Sequence, residues 1–310
     1  MNVSSKSFFA VLSIISLSAG LLFAGGTKEL VSKTDKPIIA VSILPQEYFV
    51  KRIGGDRVET LVLVGPGQSP HSYEPSPRQI ASLSKAAVWI LSGTEFEVTL
   101  EKKIAAQFPK LKIIDGTKGV KFRMLEDHGD HVGHIEEGDD HGDAEGSIDR
   151  HTWLGSENAI ILATHVRDVL CEADPEGKNM YETEYSSLIL DIITEFAQLK
   201  SDLSFLSGRT VLVFHPSFGY FLDEFNIIQE SVETGGKEPT AKALSELIAR
   251  AKQNNTPAIF VQAQFPVTAA ETVARGVGAR VVYLDPLSPD WLLNIKQMGS
   301  ELKKTLELGR

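Results

Sequence analysis

The sequence predicts an α/β protein: two Rossmann-like lobes with parallel sheets, joined by one long rigid helix, with a metal site in the cleft between the lobes. Three observations lead there. Short β-branched runs alternate with helical patterns twice along the chain, an unusually long amphipathic helix separates the two series, and His or Asp stands where several predicted strands end.

The first series gives strands at 37–43 (PIIAVSI), 58–64, 87–91 and 112–115, with helices near 45–53, 77–86 and 98–107, and defines an N-terminal lobe over 36–172. The second gives strands at 210–214 (TVLVF), 227–232, 257–262 and 279–284, with helices near 240–253, 267–276 and 291–306, and defines a C-terminal lobe over 208–310. Between them the linking helix is expected over 174–207, with Asp174 as N-cap and Pro175 at its first position. Tyr181, Tyr185, Leu188, Ile192, Phe196, Leu199, Leu203 and Leu206 recur along it at steps of three and four, so one face stays buried along its whole length. Such a connector resists hinge bending.

Residues 1–24 read as a secretory signal, with Lys6 ahead of an apolar run from Phe8 to Ala24 that is short of the ~20 residues of a comfortable membrane span. Cleavage near residue 24 would leave a periplasmic chain. Cys171 is the lone cysteine, so neither an internal disulfide nor a thiolate metal cluster can form, and no lipid-anchor cysteine follows the signal. The net charge of -10 excludes nucleic acid as a partner, which would need a basic face. Nine of the acidic residues fall between Glu126 and Glu145.

That acidic stretch contains DHGDHVGHIEEGDDHGD, residues 127–143, with four of the eight histidines: His128, His131, His134 and His141. It lies in a segment, 118–148, with neither helical nor strand periodicity, and its composition predicts disorder. A flexible chain must give up conformational entropy to wrap imidazoles around an ion, so binding there would be weak and exchangeable. A solvated acidic linker is the plain alternative.

The other candidate ligands are far apart in sequence. His71 follows the second strand and precedes a helix capped by Ser76 with Pro77 at its first position; His215 ends TVLVF; Asp285 ends RVVYL; His151 stands ahead of a helix beginning near Ser156. Taken singly, each is ordinary: a strand-end His is commonly hydrogen-bonded loop chemistry, and Asp before Pro is turn chemistry. His165, on an amphipathic helix, has no partner in view and reads as a satisfied surface residue. Together, however, His71 and His151 from the first lobe and His215 and Asp285 from the second fit one cleft at the carboxyl ends of parallel strands. Three nitrogens and one oxygen suit four-coordinate Zn²⁺, whereas Mn²⁺ prefers more oxygen.

The strings GPGQSPHSYEPSPRQIASLSKAAVWILSGTEFE, DRHTWL, SGRTVLVFHPSFGYF, GGKEPTAKALSELI and VVYLDPL resemble, in the same order, the zinc and manganese solute-binding proteins of ABC transporters. The resemblance spans nearly all of the chain after the signal. It implies two α/β lobes on a rigid helix, His71, His151, His215 and Asp285 as metal ligands, and, through His at the third position, a zinc-type member. The His-rich loop is a recurrent feature of that type and is expected to serve as an accessory zinc collector. Two departures stand out: Arg150 replaces an uncharged residue before the second ligand, and Gln262 stands where some members carry Glu. The first brings a cation near the site; the second removes a possible carboxylate.

The expected function is capture of Zn²⁺, with Mn²⁺ or Fe²⁺ as alternatives, by a monomeric carrier that delivers it to a membrane permease. A zinc hydrolase would need HExxH or another placed general base, which the sequence lacks, and Asp285 would close the coordination that catalysis needs open. A zinc-buffering adhesin is the remaining alternative.

Overall fold

A computed structural model describes residues 36–125, 148–233, 240–262, 264–265 and 267–307. The signal segment and the histidines at 128, 131, 134 and 141 lie outside the described residues.

The first lobe is built on β1 (Ile38–Ile43), β2 (Glu59–Val64), β3 (Val88–Leu91) and β4 (Lys112–Asp115), all parallel and in the order β2-β1-β3-β4. Ile39 to Ile43 and all of β3 are buried, as expected of strands covered on both faces. Helices α1 (Leu44–Gly54), α2 (Pro77–Leu83) and α3 (Glu95–Gln107) are the connections, and α4 (Ser156–Ala173) completes the lobe. Ser76 caps α2 as predicted: it accepts from Gln79 N while the Gln79 side chain accepts from Ser76 N.

The long helix α5 (Lys178–Asp202) is preceded by a 3₁₀ turn, Pro175–Gly177, and followed by another, Ser204–Leu206. Asp174 is not its cap, because Arg57 and the Tyr181 hydroxyl occupy the carboxylate. The predicted face is buried from Tyr181 through Leu188, Ile192, Phe196 and Leu199 to Leu203 and Leu206, with Tyr185 half-buried. It packs on α1 and α4 on one side and on α9 (Trp291–Glu307) on the other. Phe196 lies between Phe225 and Trp291, at ring distances of 6.2 and 6.4 Å. One helix thereby shares the core of both sheets, the arrangement that holds the strand ends in place.

The second lobe repeats the topology with β7 (Thr210–Val213), β8 (Ile228–Ser231), β9 (Ala258–Val261) and β10 (Arg280–Tyr283) in the order β10-β9-β7-β8, again parallel. Helices α6 (Gly219–Asp223), α7 (Ala241–Gln253), α8 (Val267–Val277) and α9 are its connections. Among the described residues, no helix is long and apolar enough to cross a membrane.

At its described ends, the segment predicted to lack regular structure departs from that expectation. Arg123–Met124 (β5) pairs antiparallel with Ile148–Asp149 (β6). The Tyr220 hydroxyl, from the second lobe, holds the pair: it accepts from Arg123 N at 2.8 Å and donates to Asp149 O at 2.9 Å. Two-residue strands are too short for periodicity to reveal, and their anchor is a hundred residues away in sequence.

Candidate metal centre

Both sheets direct their functional loops to the carboxyl ends of their strands. After β2 a 3₁₀ turn, Pro70–Ser72, carries His71; after β7 comes His215; His151 is separated from β6 by one residue and opens the 3₁₀ turn Thr152–Leu154 ahead of α4. These three rings converge. Their centroids lie 5.6 Å (His71–His151), 4.7 Å (His71–His215) and 5.2 Å (His151–His215) apart, and one nitrogen of each lies within 4.8 Å of the others. The cavity they border is about 20 Å³, room for one water-sized occupant.

Each imidazole is oriented by a carboxylate at Nδ1. His151 Nδ1 is 2.8 Å from Asp149 Oδ1, His215 Nδ1 is 2.9 Å from Glu233 Oε2, and His71 Nδ1 is 3.3 Å from Glu95 Oε2. With a carboxylate accepting from each Nδ1–H, the lone pair falls on Nε2, and that is the nitrogen left to face the cleft. His215 Nε2 is buried and has no hydrogen-bond partner. A buried acceptor of this kind is costly unless a ligand satisfies it.

The supports of these dyads are themselves anchored. Buried Glu97 accepts from Ser92 N (2.7 Å), Ser92 Oγ (2.9 Å) and Gly93 N (2.7 Å), which fixes the turn leading into Glu95 with Gly93 at φ 81°. Asp149 receives Arg123 Nη1 at 3.4 Å and also the amide of His151 at 3.0 Å. Gln262 is 1% exposed; its Nε2 donates to His215 O (2.7 Å) and Ser217 Oγ (2.6 Å), and its Oε1 accepts from His215 N (3.4 Å). Gln262 is therefore a clamp on the backbone of His215, a role that needs a donor and an acceptor at once and that an ionised carboxylate cannot fill.

The environments of the three rings differ. Burial pushes His215 down to about 4 against the pull of Glu233, with the neighbouring His151 and His71 adding to the shift. For His71, burial also disfavours the charged ring, but the hydrogen bond and charge of Glu95 outweigh it and the ring is raised above its ordinary value. Glu95 correspondingly is held at about 2: burial would raise it, and His71 overrides that.

Of the predicted ligands, the structure brings together His71, His151 and His215 and does not bring Asp285 to them. Asp285 Oδ1 instead accepts from Gln264 Nε2 and Leu287 N, both at 3.0 Å, behind a cleft wall to which Gln264 and Leu287 belong. His165 is satisfied at the surface, Nε2 lying 2.9 Å from Lys118 O. Arg150 does point inward, its Nη1 donating to Gly93 O at 2.8 Å. Sequence reasoning missed Glu95, Asp149 and Glu233; Asp149, two residues before His151, was the one whose spacing could have suggested a partner.

Comparison with known proteins places this geometry. A family profile described as the periplasmic zinc-uptake complex component A, ZnuA, matches residues 39–304. A crystal structure of ZnuA is 34% identical and superimposes with a TM-score of 0.78, covering 87% of this chain and 99% of that one. The zinc-binding lipoprotein AdcA of Streptococcus pneumoniae R6 is 27% identical over 260 residues, 80% of this chain and 50% of AdcA, so the chain spans about half the length of that relative. The iron ABC transporter substrate-binding lipoprotein MtsA of Streptococcus pyogenes serotype M1 is 27% identical over 283 residues, 90% of this chain and 86% of MtsA. With two like-ordered parallel sheets and a profile match over nearly all of the described residues, the chain belongs to the ZnuA family of periplasmic metal-binding, solute-binding proteins.

Proposed function

We propose that this chain captures Zn²⁺ in the periplasm at His71, His151 and His215 and, as a monomer, delivers it to the membrane permease of an ABC transporter. The observation that carries the reading is the shared orientation of the three rings: every Nδ1 on a carboxylate, every Nε2 left to the cleft. Nitrogen donors in a cavity of one-ion size suit zinc better than a cation that demands oxygen. Asp285 is the fourth donor of this reading in a state in which its carboxylate gives up Gln264 and Leu287; its place directly behind the cleft wall supports that exchange. Export by a cleaved signal, the accessory role of the histidines at 128, 131, 134 and 141, and the absence of an enzymatic activity belong to the same proposal. Transport of iron or manganese is the second reading, the likeness to the iron-transporter lipoprotein MtsA favouring iron.

Elemental analysis of the purified chain, after equilibration with mixed Zn²⁺ and Mn²⁺, tests the proposal. His215→Ala should abolish tight one-to-one zinc retention, and deletion of residues 126–145 should remove only additional, weaker equivalents. Equal loss from both changes would overturn the assignment of the primary site.

A further inference from the structure

Among the described residues that line the cleft, Glu95 is the one acid and Arg150 the one guanidinium, and they are neighbours. Arg150 Nε lies 4.0 Å from Glu95 Oε1, while Glu95 Oε2 lies 3.3 Å from His71 Nδ1. The two side chains differ in freedom. Arg150 is tied by its bond to Gly93 O and its side chain is 15% exposed, whereas that of Glu95 is 46% exposed, at the first turn of α3. The other two acids of the site cannot reach the ion so easily, because the side chain of Asp149 is fully buried and that of Glu233 is 10% exposed. The one carboxylate that lines the cleft beside the three rings therefore has the one guanidinium of that lining 4.0 Å from it.

We infer that Arg150 is a specificity-determining residue: its guanidinium, 4.0 Å from Glu95 Oε1, attracts that carboxylate and so keeps it as a partner of His71 and out of the metal's coordination. This rests on the proposed metal-binding role of the three histidines. The chemistry of the ions makes the consequence selective. Zn²⁺ is content with few ligands and with imidazole; Mn²⁺ binds nitrogen weakly and gains from each added carboxylate oxygen. Holding Glu95 aside thus denies manganese the donor it most needs. A guanidinium near the cleft also repels any divalent ion, but it does so equally for both, so the ratio of the two affinities isolates the effect on ligation.

The test uses the full metal-free chain, with Mn²⁺ and Zn²⁺ titrated in competition and the bound metal's ligand set read by X-ray absorption. In Arg150→Ala the manganese-to-zinc affinity ratio should rise by about tenfold, the scale on which outer partners of ligands act, and bound manganese should gain an oxygen donor. In a Glu95→Gln background, the same Arg150→Ala change should leave the ratio where Glu95→Gln alone sets it. Arg150→Gln, which keeps a donor for Gly93 O, repeats the measurement without loosening the turn. A ratio that stays put, or two affinities that rise by the same factor, overturns the role of Arg150 while leaving the site intact. Failure of the parent chain to hold zinc through its histidines overturns the site and the inference together.

Discussion

Gln262→Glu is the most informative single change in this cleft, since it adds a carboxylate behind His215 and yet should harm the protein. In the structure the amide nitrogen donates to His215 O at 2.7 Å and to Ser217 Oγ at 2.6 Å, at a site 1% exposed. A carboxylate can still accept from the serine but cannot donate to the carbonyl. Leaving that buried carbonyl unpaired costs about 1–3 kcal/mol, and confining an anion beside it adds a further penalty of up to several kcal/mol. A loss of ~3–5 kcal/mol at pH 8 is therefore expected in the metal-free protein, measured by urea denaturation with chelator present so that metal linkage does not mask it. The sign of its pH dependence follows from burial. The introduced acid has a raised folded-state pKa, so the deficit is largest above that pKa and shrinks as the pH falls through it and the protonated acid becomes a donor. The reasoning fails if the variant is as stable as the parent at pH 8 and binds zinc more tightly. In that event position 262 is a missing ligand and not a clamp.

Two further outcomes follow from the geometry. Zinc affinity should decline with falling pH from above the ordinary histidine range, as His71, raised by Glu95, charges, and should go on declining to about pH 4, where His215 charges; isothermal titration in buffers of different ionisation enthalpy counts the protons released, and an affinity that does not change down to pH 4 would contradict the assignment. Gly116→Ala should destabilise the first lobe by about 1–3 kcal/mol, because a Cβ there would meet Leu91 O at 2.4 Å, and the strain falls on the strand end that leads into Glu95; a thermal melt within 1 °C of the parent would contradict this.

The eight main strands and the long helix were legible because each is a local pattern: a short β-branched run, buried throughout only in the inner strands β3 and β9, or an apolar step of three and four. His71, His151 and His215 were legible for a related reason, since each stands at an element boundary that the pattern marks. The acids were not. Glu95 reaches His71 across 24 residues of sequence and Glu233 reaches His215 across 18, and neither separation repeats between the pairs. What brings each acid to its ring is the order of strands in the sheet, which sequence periodicity does not encode. Asp285 shows the converse: its position at a strand end was read correctly, but which neighbour its carboxylate meets depends on Gln264 and on the turn to Leu287.

The arrangement of acids also explains how three imidazoles can share so small a space. At ring spacings of 4.7 to 5.6 Å, three protonated histidines would repel one another strongly, and the depressed value of His215 reflects part of that repulsion. The ring that best tolerates charge is His71, whose acid is the most exposed of the three and lies at the mouth of the cleft. The metal-free site is thus arranged to carry its positive charge at the edge and to keep its buried nitrogen, His215 Nε2, neutral and without a partner. On the proposed reading, a divalent cation entering the cleft would displace any proton on His71 and satisfy the lone pair of His215 Nε2 in one event, with the paired carboxylates balancing its charge. On that reading, the same pairs that fix the ring orientations favour one shared ion over a set of separate protons.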